Sequence, residues 1–229
     1  ERELDADRRD VFVAYHGVSA QGNWEGTNVL ERVTTLEHVA ATLGIEVDEA
    51  RRRLDTARRH LFEVRERRAR PGRDDKVLTA WNGLMIASFA RAAVVLDEPR
   101  YAEAARRAAD FVLRELEVDG TLRRRWRDGD ARIEAFAEDY TFFVRGLLEL
   151  AQCDLDPRWL DQARRLHEEC FAVFGDDGGA LFNTRAGRDD LIVRSKAGYD
   201  GSTPTANSVA AANALALHAL TGEPQFREQ

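Results

Sequence analysis

Polar and aromatic residues that could act on a sugar gather at three places in the sequence, each just before or at the start of an apolar helical run. The clusters contain Asp74, Asp75, Lys76, Trp81 and Asn82 in the first place, Glu138, Asp139 and Tyr140 in the second, and Asp200 and Asn207 in the third. Glycoside hydrolysis uses two carboxyl groups, one held protonated as an acid and one ionised as a base or nucleophile. Aromatic rings beside carboxylates suit a sugar-binding cleft. The residue types therefore indicate carbohydrate chemistry.

Asp75 and Asp139 are the candidate catalytic pair, because both stand at the starts of neighbouring apolar helices. Trp81 and Tyr140 lie beside them in the sequence, and their rings could stack on a sugar. The candidate substrate-binding residues are Asp74, Lys76, Trp81, Asn82, Glu138, Tyr140, Asp200 and Asn207. Lys76 stands out because Lys196 is the only other lysine among 34 basic residues.

Helix capping is the competing interpretation of these clusters. Asp, Asn and Ser at helix starts satisfy free N–H groups and suit the helix dipole, so capping explains any one of the carboxylates taken alone. It explains the whole set less well, since a cap requires neither Trp81 nor Tyr140 nor Lys76. We therefore expect Asp75, Asp139, Lys76 and Trp81 to share one cavity-facing cluster.

A tetrapeptide recurs along the chain and marks a repeated unit. Glu-Pro-Arg-Tyr at 98–101 returns as Asp-Pro-Arg-Trp at 156–159 and, more weakly, as Glu-Pro-Gln-Phe at 223–226. Each copy follows a helical run that is apolar almost all round, and the first two open helices with a single apolar stripe. Such a unit must stack on its neighbours to bury its apolar face. The pattern predicts inner helices over 79–96, 137–152 and 205–221 and outer helices over 101–117 and 157–174.

These elements predict an all-α fold, an incomplete α/α toroid of inner and outer helices with short β-hairpins between the units. The whole sequence, 1–229, is expected to form a single domain. Its expected parts are a hairpin closing a preceding unit at 1–33, a helix pair at 34–70, and helical-hairpin units at 71–130, 131–198 and 199–229, the last truncated. Within the first part, the alternating run Asp10–Tyr15 predicts a strand.

The run from Arg73 to Met85, Arg-Asp-Asp-Lys-Val-Leu-Thr-Ala-Trp-Asn-Gly-Leu-Met, resembles the central motif of the bacterial thioredoxin-domain proteins related to spermatogenesis-associated protein 20. Further matches are Gly22–Gly26, Glu138–Tyr140, Tyr199–Gly201, Pro204 and Asn207–Ser208. The resemblance covers nearly the whole chain. It implies an (α/α)6 toroid similar to six-hairpin glycosidases and acylglucosamine epimerases, joined to an N-terminal thioredoxin-like domain. The carbohydrate activity implied in this way rests on the fold alone.

The sequence departs from that family pattern because it lacks a Cys-x-x-Cys motif and any thioredoxin segment. Its two cysteines, Cys153 and Cys170, lie on apolar stretches of successive helices, which predicts buried free thiols rather than a disulfide. We therefore expect a fragment whose partners are the remaining toroid units and the thioredoxin-like domain. A noncatalytic binding or scaffold role beside that domain is the alternative to a hydrolase-like acidic cavity.

Histidine and metal chemistry find no support in the sequence. Epimerases of this architecture work with histidine bases on the inner helices, and none of the five histidines stands at an aligned position at a helix start: His16, His38, His60, His167 and His218. No set of His, Cys and carboxylate residues has the spacing of metal ligands. We therefore expect no metal and no cofactor, and a carbohydrate or another small molecule as the ligand.

Nucleic-acid binding through residues 34–70 is a minor alternative. Thr34-x-x-Glu37 predicts a capping box that opens a short helix ending before Gly44, and a second helix follows from Val47 to about Arg68. This helix pair resembles a helix-turn-helix, and residues 47–73 carry ten arginines against five acids. The net charge of −7 weakens attraction to phosphate and disfavours this interpretation.

The composition is that of a soluble globular protein, and the location that we expect is the cytoplasm. The sequence is 44% hydrophobic and 33% charged, as in ordinary globular proteins. No apolar run approaches the roughly 20 residues that a membrane-spanning helix needs, so we expect no membrane association.

Overall fold

The computed structural model describes residues 3–187 and 191–227. By its internal contacts the chain divides into two compact units, Glu1–Arg73 and Asp74–Gln229. Each unit has its own apolar core. Among the described residues, no helix is both long enough and apolar enough to span a bilayer.

The first unit contains three helices, α1 (Ala6–His16), α2 (Leu36–Leu43) and α3 (Val47–Glu66). The expectation of a strand over Asp10–Tyr15 is wrong, because this segment lies within α1. Asp5 caps the helix by accepting a hydrogen bond from the backbone N–H of Arg8. The neighbouring residues Val11 and Phe12 are both buried, which a half-buried strand would not allow.

Helices α2 and α3 form the expected pair around Gly44, which ends α2 in the left-handed conformation at φ 65°. The cap of α2 is Thr35 rather than Thr34, since the Thr35 side chain accepts from the N–H of His38. Several arginines of α3 pair with acids one helical turn away. These pairs are Arg52 and Arg53 with Glu49 and Arg58 with Asp55, and beyond the end of the helix Arg70 pairs with Glu66.

The second unit is built from five helices that match the predicted spans closely. They are α4 (Thr79–Val95), α5 (Pro99–Phe111), α6 (Ala137–Asp154), α7 (Pro157–Phe174) and α8 (Ala206–Thr221). Pro99 and Pro157 open α5 and α7, where a missing N–H costs nothing and the fixed φ suits a helix. A π-helical turn, Val112–Leu116, continues α5, and a short 3₁₀ turn, Pro224–Arg227, follows α8.

Helix α6 is the centre of this unit and packs against α4, α7 and α8, while α5 packs mainly against α4. Most α6 side chains are buried, as expected for an inner helix. The buried stripe of α7 is the predicted one: Trp159, Ala163, Leu166, Cys170 and Phe174. Cys153 and Cys170 are both free thiols, and Cys170 is buried as expected, whereas Cys153 is only partly buried.

A small antiparallel sheet combines one strand that precedes α4 with three strands that lie between α5 and α6 in the chain. Its strands are β1 (Val77–Leu78), β2 (Glu117–Val118), β3 (Thr121–Arg127) and β4 (Asp130–Glu134). Strand β3 pairs with each of the others, and Arg125 stands opposite Leu78 on one side and Arg132 on the other. The sheet confirms the expected short hairpin between helical units and carries arginines to the start of α6.

Two glycines set the distance between the inner helices α4 and α6. A Cβ placed on Gly83 would lie 2.4 Å from the backbone carbonyl of Phe142, and one on Gly146 would lie 2.7 Å from the carbonyl oxygen of Gly83. Both distances are shorter than any real Cβ contact. The backbones of α4 and α6 therefore touch directly, and this contact requires glycine for reasons of space.

We predict that Gly83→Ala destabilises the protein by about 1–3 kcal/mol or more, because the added methyl group must push two helices apart. Equilibrium unfolding in urea would measure the change. Gly198→Ala is the matched control, since a Cβ on Gly198 meets no atom within 4 Å. Equal stabilities for the two variants would contradict the close helix contact.

Candidate functional site

An open cleft of about 540 Å³ lies in the second unit. Three chain segments form its walls: strand β3, the start of α6, and the connection between α7 and α8. The lining residues are Arg124, Phe136, Glu138, Asn183, Thr184, Ser195, Ala197, Tyr199 and 201–206. The cleft therefore lies at the beginnings of α6 and α8, where the sequence placed two of its three polar clusters.

Arg124 is the charged centre of this cleft. Its Nη1 donates to Oε1 of Glu138 at 2.8 Å and to Oδ2 of Asp139 at 3.2 Å. The guanidinium carbon also lies 4.6 Å from the ring centroid of Phe136. Because both carboxylates and the ring hold the same guanidinium, its orientation toward the cleft is fixed by α6.

Asp139 lies beneath the cleft and is fully buried. Its Oδ1 accepts from the N–H of Ala80 at 3.1 Å, and its Oδ2 accepts from the N–H of Phe136 at 2.8 Å. One carboxylate thus caps the starts of both α4 and α6. For Asp139 the structure supports the capping interpretation over the cavity-facing one, because no part of the side chain reaches solvent.

Burial raises the pKa of Asp139 to about 6. The bond from the Phe136 N–H, the Arg124 charge and the bond from the Ala80 N–H oppose this rise, while the Glu138 charge adds to it. Desolvation dominates because the carboxylate is removed from water almost completely. The Asp139 carboxyl is therefore titratable near neutral pH although it is a structural group.

Tyr140 is also fully buried, so the expectation that its ring stacks on a sugar is wrong. Its ring packs edge-on against Phe174 at 5.6 Å between centroids. The hydroxyl donates to Glu169 and accepts from the N–H of Leu122. At the start of α6, Asp139 and Tyr140 both point into the core, whereas Glu138 lines the cleft.

The first cluster stands outside the cleft. Within the described ranges, none of its residues is part of the cleft lining: Asp74, Asp75, Lys76, Trp81 and Asn82. Asp75 is exposed and Asp139 is buried, so the pairing of these two carboxyl groups stays a prediction. Lys76 pairs with Asp74 at 3.1 Å, and Nδ2 of Asn82 donates to the carbonyl oxygen of Leu78 at 2.9 Å. Trp81 is 65% exposed on α4.

The third cluster shapes the wall of the cleft through backbone contacts. Oδ1 of Asp200 accepts from the N–H of Thr205 and from Oγ of Ser208, both at 2.8 Å, and these bonds, the first above all, lower the pKa of Asp200. Asn207 accepts from the N–H of Leu181 at 2.7 Å and donates to the carbonyls of Leu181 and Ala197 at 3.1 and 3.0 Å. These side chains hold the connection between α7 and α8 in place.

Several lining residues did not emerge from the sequence as site residues. Arg124 is one of three consecutive arginines, and only the strand register shows which of them meets α6. Asn183 donates through Nδ2 to Oγ of Ser195 at 3.1 Å, and its carbonyl accepts from the N–H of Ala137 at 3.1 Å. Tyr199 is 86% exposed at the rim. The sequence signal that could have identified Tyr199 is its position next to Asp200, a candidate substrate-binding residue.

Comparison with known proteins finds no matching protein-family model. The chain is 37% identical over 241 residues to spermatogenesis-associated protein 20 of Rattus norvegicus, covering 96% of this chain and 30% of that protein. The human protein is 36% identical over 221 residues, which are 91% of this chain and 28% of the human protein. An uncharacterized protein of Caenorhabditis elegans is 30% identical over 238 residues, with coverages of 96% and 32%. The chain therefore spans about a third of the length of these relatives.

Solved structures with a similar fold are carbohydrate-active enzymes. Cellobiose 2-epimerase from Spirochaeta thermophila matches 67% of this chain and 41% of its own, with a TM-score of 0.53 and 18% identity. The α-1,6-mannanase GH76A of Salegentibacter matches 97% and 65%, with a TM-score of 0.54 and 15% identity. Bt3792 of Bacteroides thetaiotaomicron, a mannosidase of the same glycosidase family, matches 97% and 67%, with a TM-score of 0.56 and 13% identity. At these identities the likeness shows the fold alone.

Together the comparisons establish a relationship in sequence and a likeness in fold. The chain is homologous to a segment of spermatogenesis-associated protein 20, and it has the α/α toroid fold of the six-hairpin glycosidases.

Proposed function

We propose that this chain is part of a carbohydrate-binding α/α toroid and that the cleft beside Arg124 holds the sugar ligand. The observation that carries the proposal is the meeting of a charged donor, a charged acceptor and an exposed aromatic ring in one cleft: Arg124, Glu138 and Tyr199. The relatives are about three times longer than the matched segment, so further toroid units and a thioredoxin-like domain are proposed as partners. A cytoplasmic location is part of the same proposal.

The lining of the cleft suits the chemistry of a neutral sugar. Hydroxyl groups both donate and accept, so they can bond to the Glu138 carboxylate, the Arg124 guanidinium and the amide of Asn183. Bonds to charged groups are about twice as strong as neutral ones. An exposed ring such as that of Tyr199 can cover the apolar face of a pyranose. The volume of about 540 Å³ lies within the range of small-molecule pockets.

Binding is favoured over hydrolysis by the carboxylates of the cleft. A glycosidase needs two carboxyl groups about 5–9.5 Å apart across the scissile bond. Among the described residues that line the cleft, Glu138 is the one with a carboxylate. Asp139 is engaged with two backbone N–H groups and Arg124, so it holds the site in shape and does not face the ligand.

Hydrolysis is the second candidate, and one observation favours it. Glu138 and Asp139 are consecutive acids that share Arg124, and a variant of the Salegentibacter mannanase with two consecutive aspartates replaced by asparagine is inactive and was studied with α-1,6-mannotriose. In a full-length relative, turnover would require a second carboxylate that reaches the ligand from outside the cleft lining described above.

We predict that Glu138→Gln weakens sugar binding about 10- to 100-fold, because it removes a charged acceptor worth about 1.5–3 kcal/mol in a hydrogen bond. Isothermal titration with α-1,6-mannotriose and with cellobiose would measure the affinities. Glu134→Gln is the matched control, since Glu134 is an exposed acid of β4 outside the cleft lining. Unchanged binding of both sugars by Glu138→Gln would remove Glu138 from the site.

A separate prediction concerns the ring of Tyr199. If the ring stacks on a sugar, Tyr199→Ala should lower the affinity at least about tenfold, whereas Tyr199→Phe should stay within about twofold because the aromatic face is kept. The same titrations report both variants. A similar loss in Tyr199→Phe and Tyr199→Ala would show that the hydroxyl, and not the ring, makes the contact.

Asp139→Asn separates the structural role of Asp139 from a catalytic one. The amide nitrogen would face a buried donor, so we expect a loss of about 1–3 kcal/mol in the free energy of unfolding. The folded-state pKa of about 6 lies above the 3.8 of an ordinary aspartate, so the Asp139 carboxyl favours folding most at low pH. Its contribution should fall by about 1–1.5 kcal/mol as the pH rises from 5 to 7.5.

Thermal unfolding of the wild type and Asp139→Asn across this pH range would measure that difference. The stability advantage of the wild type should shrink as the pH rises toward the folded-state pKa of about 6 and should level off above it. Glu134→Gln is the control, because it removes an exposed carboxylate of β4 and leaves the bonds of Asp139 in place. Normal stability at every pH together with lost sugar binding would return Asp139 to the catalytic candidates.

A further inference from the structure

A second recess of about 320 Å³ lies on the small sheet beside the cleft. Its lining consists of Lys76, Leu78, Arg124, Arg125, Arg127 and Ile133. Four of these six residues are cationic, and within the described part of the chain no acidic residue belongs to the lining. A neutral sugar has no use for such a concentration of positive charge, so the recess requires its own explanation.

The strand register explains how the cations come together. Residues two apart on a strand point to the same face, so Arg125 and Arg127 share one face of β3. Leu78 of β1 stands opposite Arg125, and Lys76 directly precedes β1. Ile133 of β4 completes the lining of the recess. It is 50% exposed and has a φ of 66°. A β-branched residue rarely adopts that conformation, and here it places an apolar side chain beside the cations.

The charges of the recess are only partly neutralised. Lys76 pairs with Asp74 at 3.1 Å and Arg127 with Asp128 at 3.2 Å, but all four side chains are between 44% and 83% exposed. Exposed pairs of this kind contribute little and exchange readily with a competing anion. Among the residues that the structure describes, the Arg125 guanidinium has neither an ion pair nor a hydrogen bond. Arg125 is therefore the cation best placed to take a ligand.

We infer that this recess binds a phosphate group, and that the ligand of the protein is a phosphorylated sugar whose sugar part lies in the cleft. A phosphate has several oxygens that can accept from more than one cation, and the planar guanidinium of arginine matches it with paired N–H donors. Arg124 lines both the recess and the cleft, so the two sites are neighbours at this residue. The sugar part of this inference rests on the proposed function; the phosphate part does not.

The test compares three probes by isothermal titration in buffer free of phosphate and sulfate: inorganic phosphate, mannose and mannose 6-phosphate. For the wild type we expect saturable binding of inorganic phosphate and tighter binding of mannose 6-phosphate than of either part alone. Arg125→Gln should weaken both phosphate-containing probes about tenfold and leave mannose unchanged. Lys76→Gln, at an exposed position, should act in the same direction.

Arg132→Gln is the matched control, because Arg132 stands opposite Arg125 on β4, carries the same charge and does not line the recess. It should stay within about twofold of the wild type for every probe. Absence of saturable phosphate binding, or equal losses in Arg125→Gln and Arg132→Gln, would overturn the inference. Phosphate binding that depends on Arg125, without any binding of mannose, would support the recess and overturn the proposed sugar function.

Discussion

A single buried carboxylate joins the starts of two inner helices, and the arrangement of the cleft depends on it. Helix starts leave backbone N–H groups without partners, and Asp139 satisfies one such group on α4 and the N-cap group of α6. In a low-dielectric interior these bonds are strong, but the same surroundings penalise the charge. Asp139 therefore holds the two helices in register at the cost of a carboxyl group whose protonation changes near neutral pH.

Asp139 also fixes the positions of side chains at the surface. Arg124 reaches across from β3 to Asp139 and then presents its guanidinium to Glu138 at the cleft and to the neighbouring recess. The buried Asp139, the half-buried Arg124 and the partly exposed Glu138 form a chain from the core to the solvent. The geometry of the outermost group is consequently fixed by the innermost one, which is how a site on flexible surface side chains becomes preorganised.

The helices of the second unit were predictable from the sequence, because their apolar patterns and their prolines act locally. The stripe of α7 and the start of that helix at Pro157 follow from helical periodicity and from the geometry of proline alone. The alternating run in α1 was misread, since a short apolar run is compatible with either a strand or a helix. The choice between strand and helix depends on whether Val11 and Phe12 pack into the same core. Tertiary structure determines this, and the local sequence does not.

The site was only partly predictable for a related reason. Glu138, Asp139 and Tyr140 are consecutive, and the sequence marks their helix start correctly, but α6 is apolar on almost every side. No periodicity then tells which of the three faces the solvent. Arg124 is one of three consecutive arginines, and the sequence does not distinguish their roles. Those roles depend on the strand register, which forms only when β1, β3 and β4 pair.

The amide clamp of Asn207 implies a chemical vulnerability of the cleft. Both ends of that amide are in use, the oxygen as an acceptor and the nitrogen as a double donor, and together they fasten two distant points of the chain to α8. Asparagine is a thermolabile residue, and hydrolysis of its amide would replace the donating nitrogen with a second acceptor. Two carbonyl groups would then face a negative charge. The ageing of one side chain would thereby loosen a whole wall of the cleft while leaving the helical core untouched.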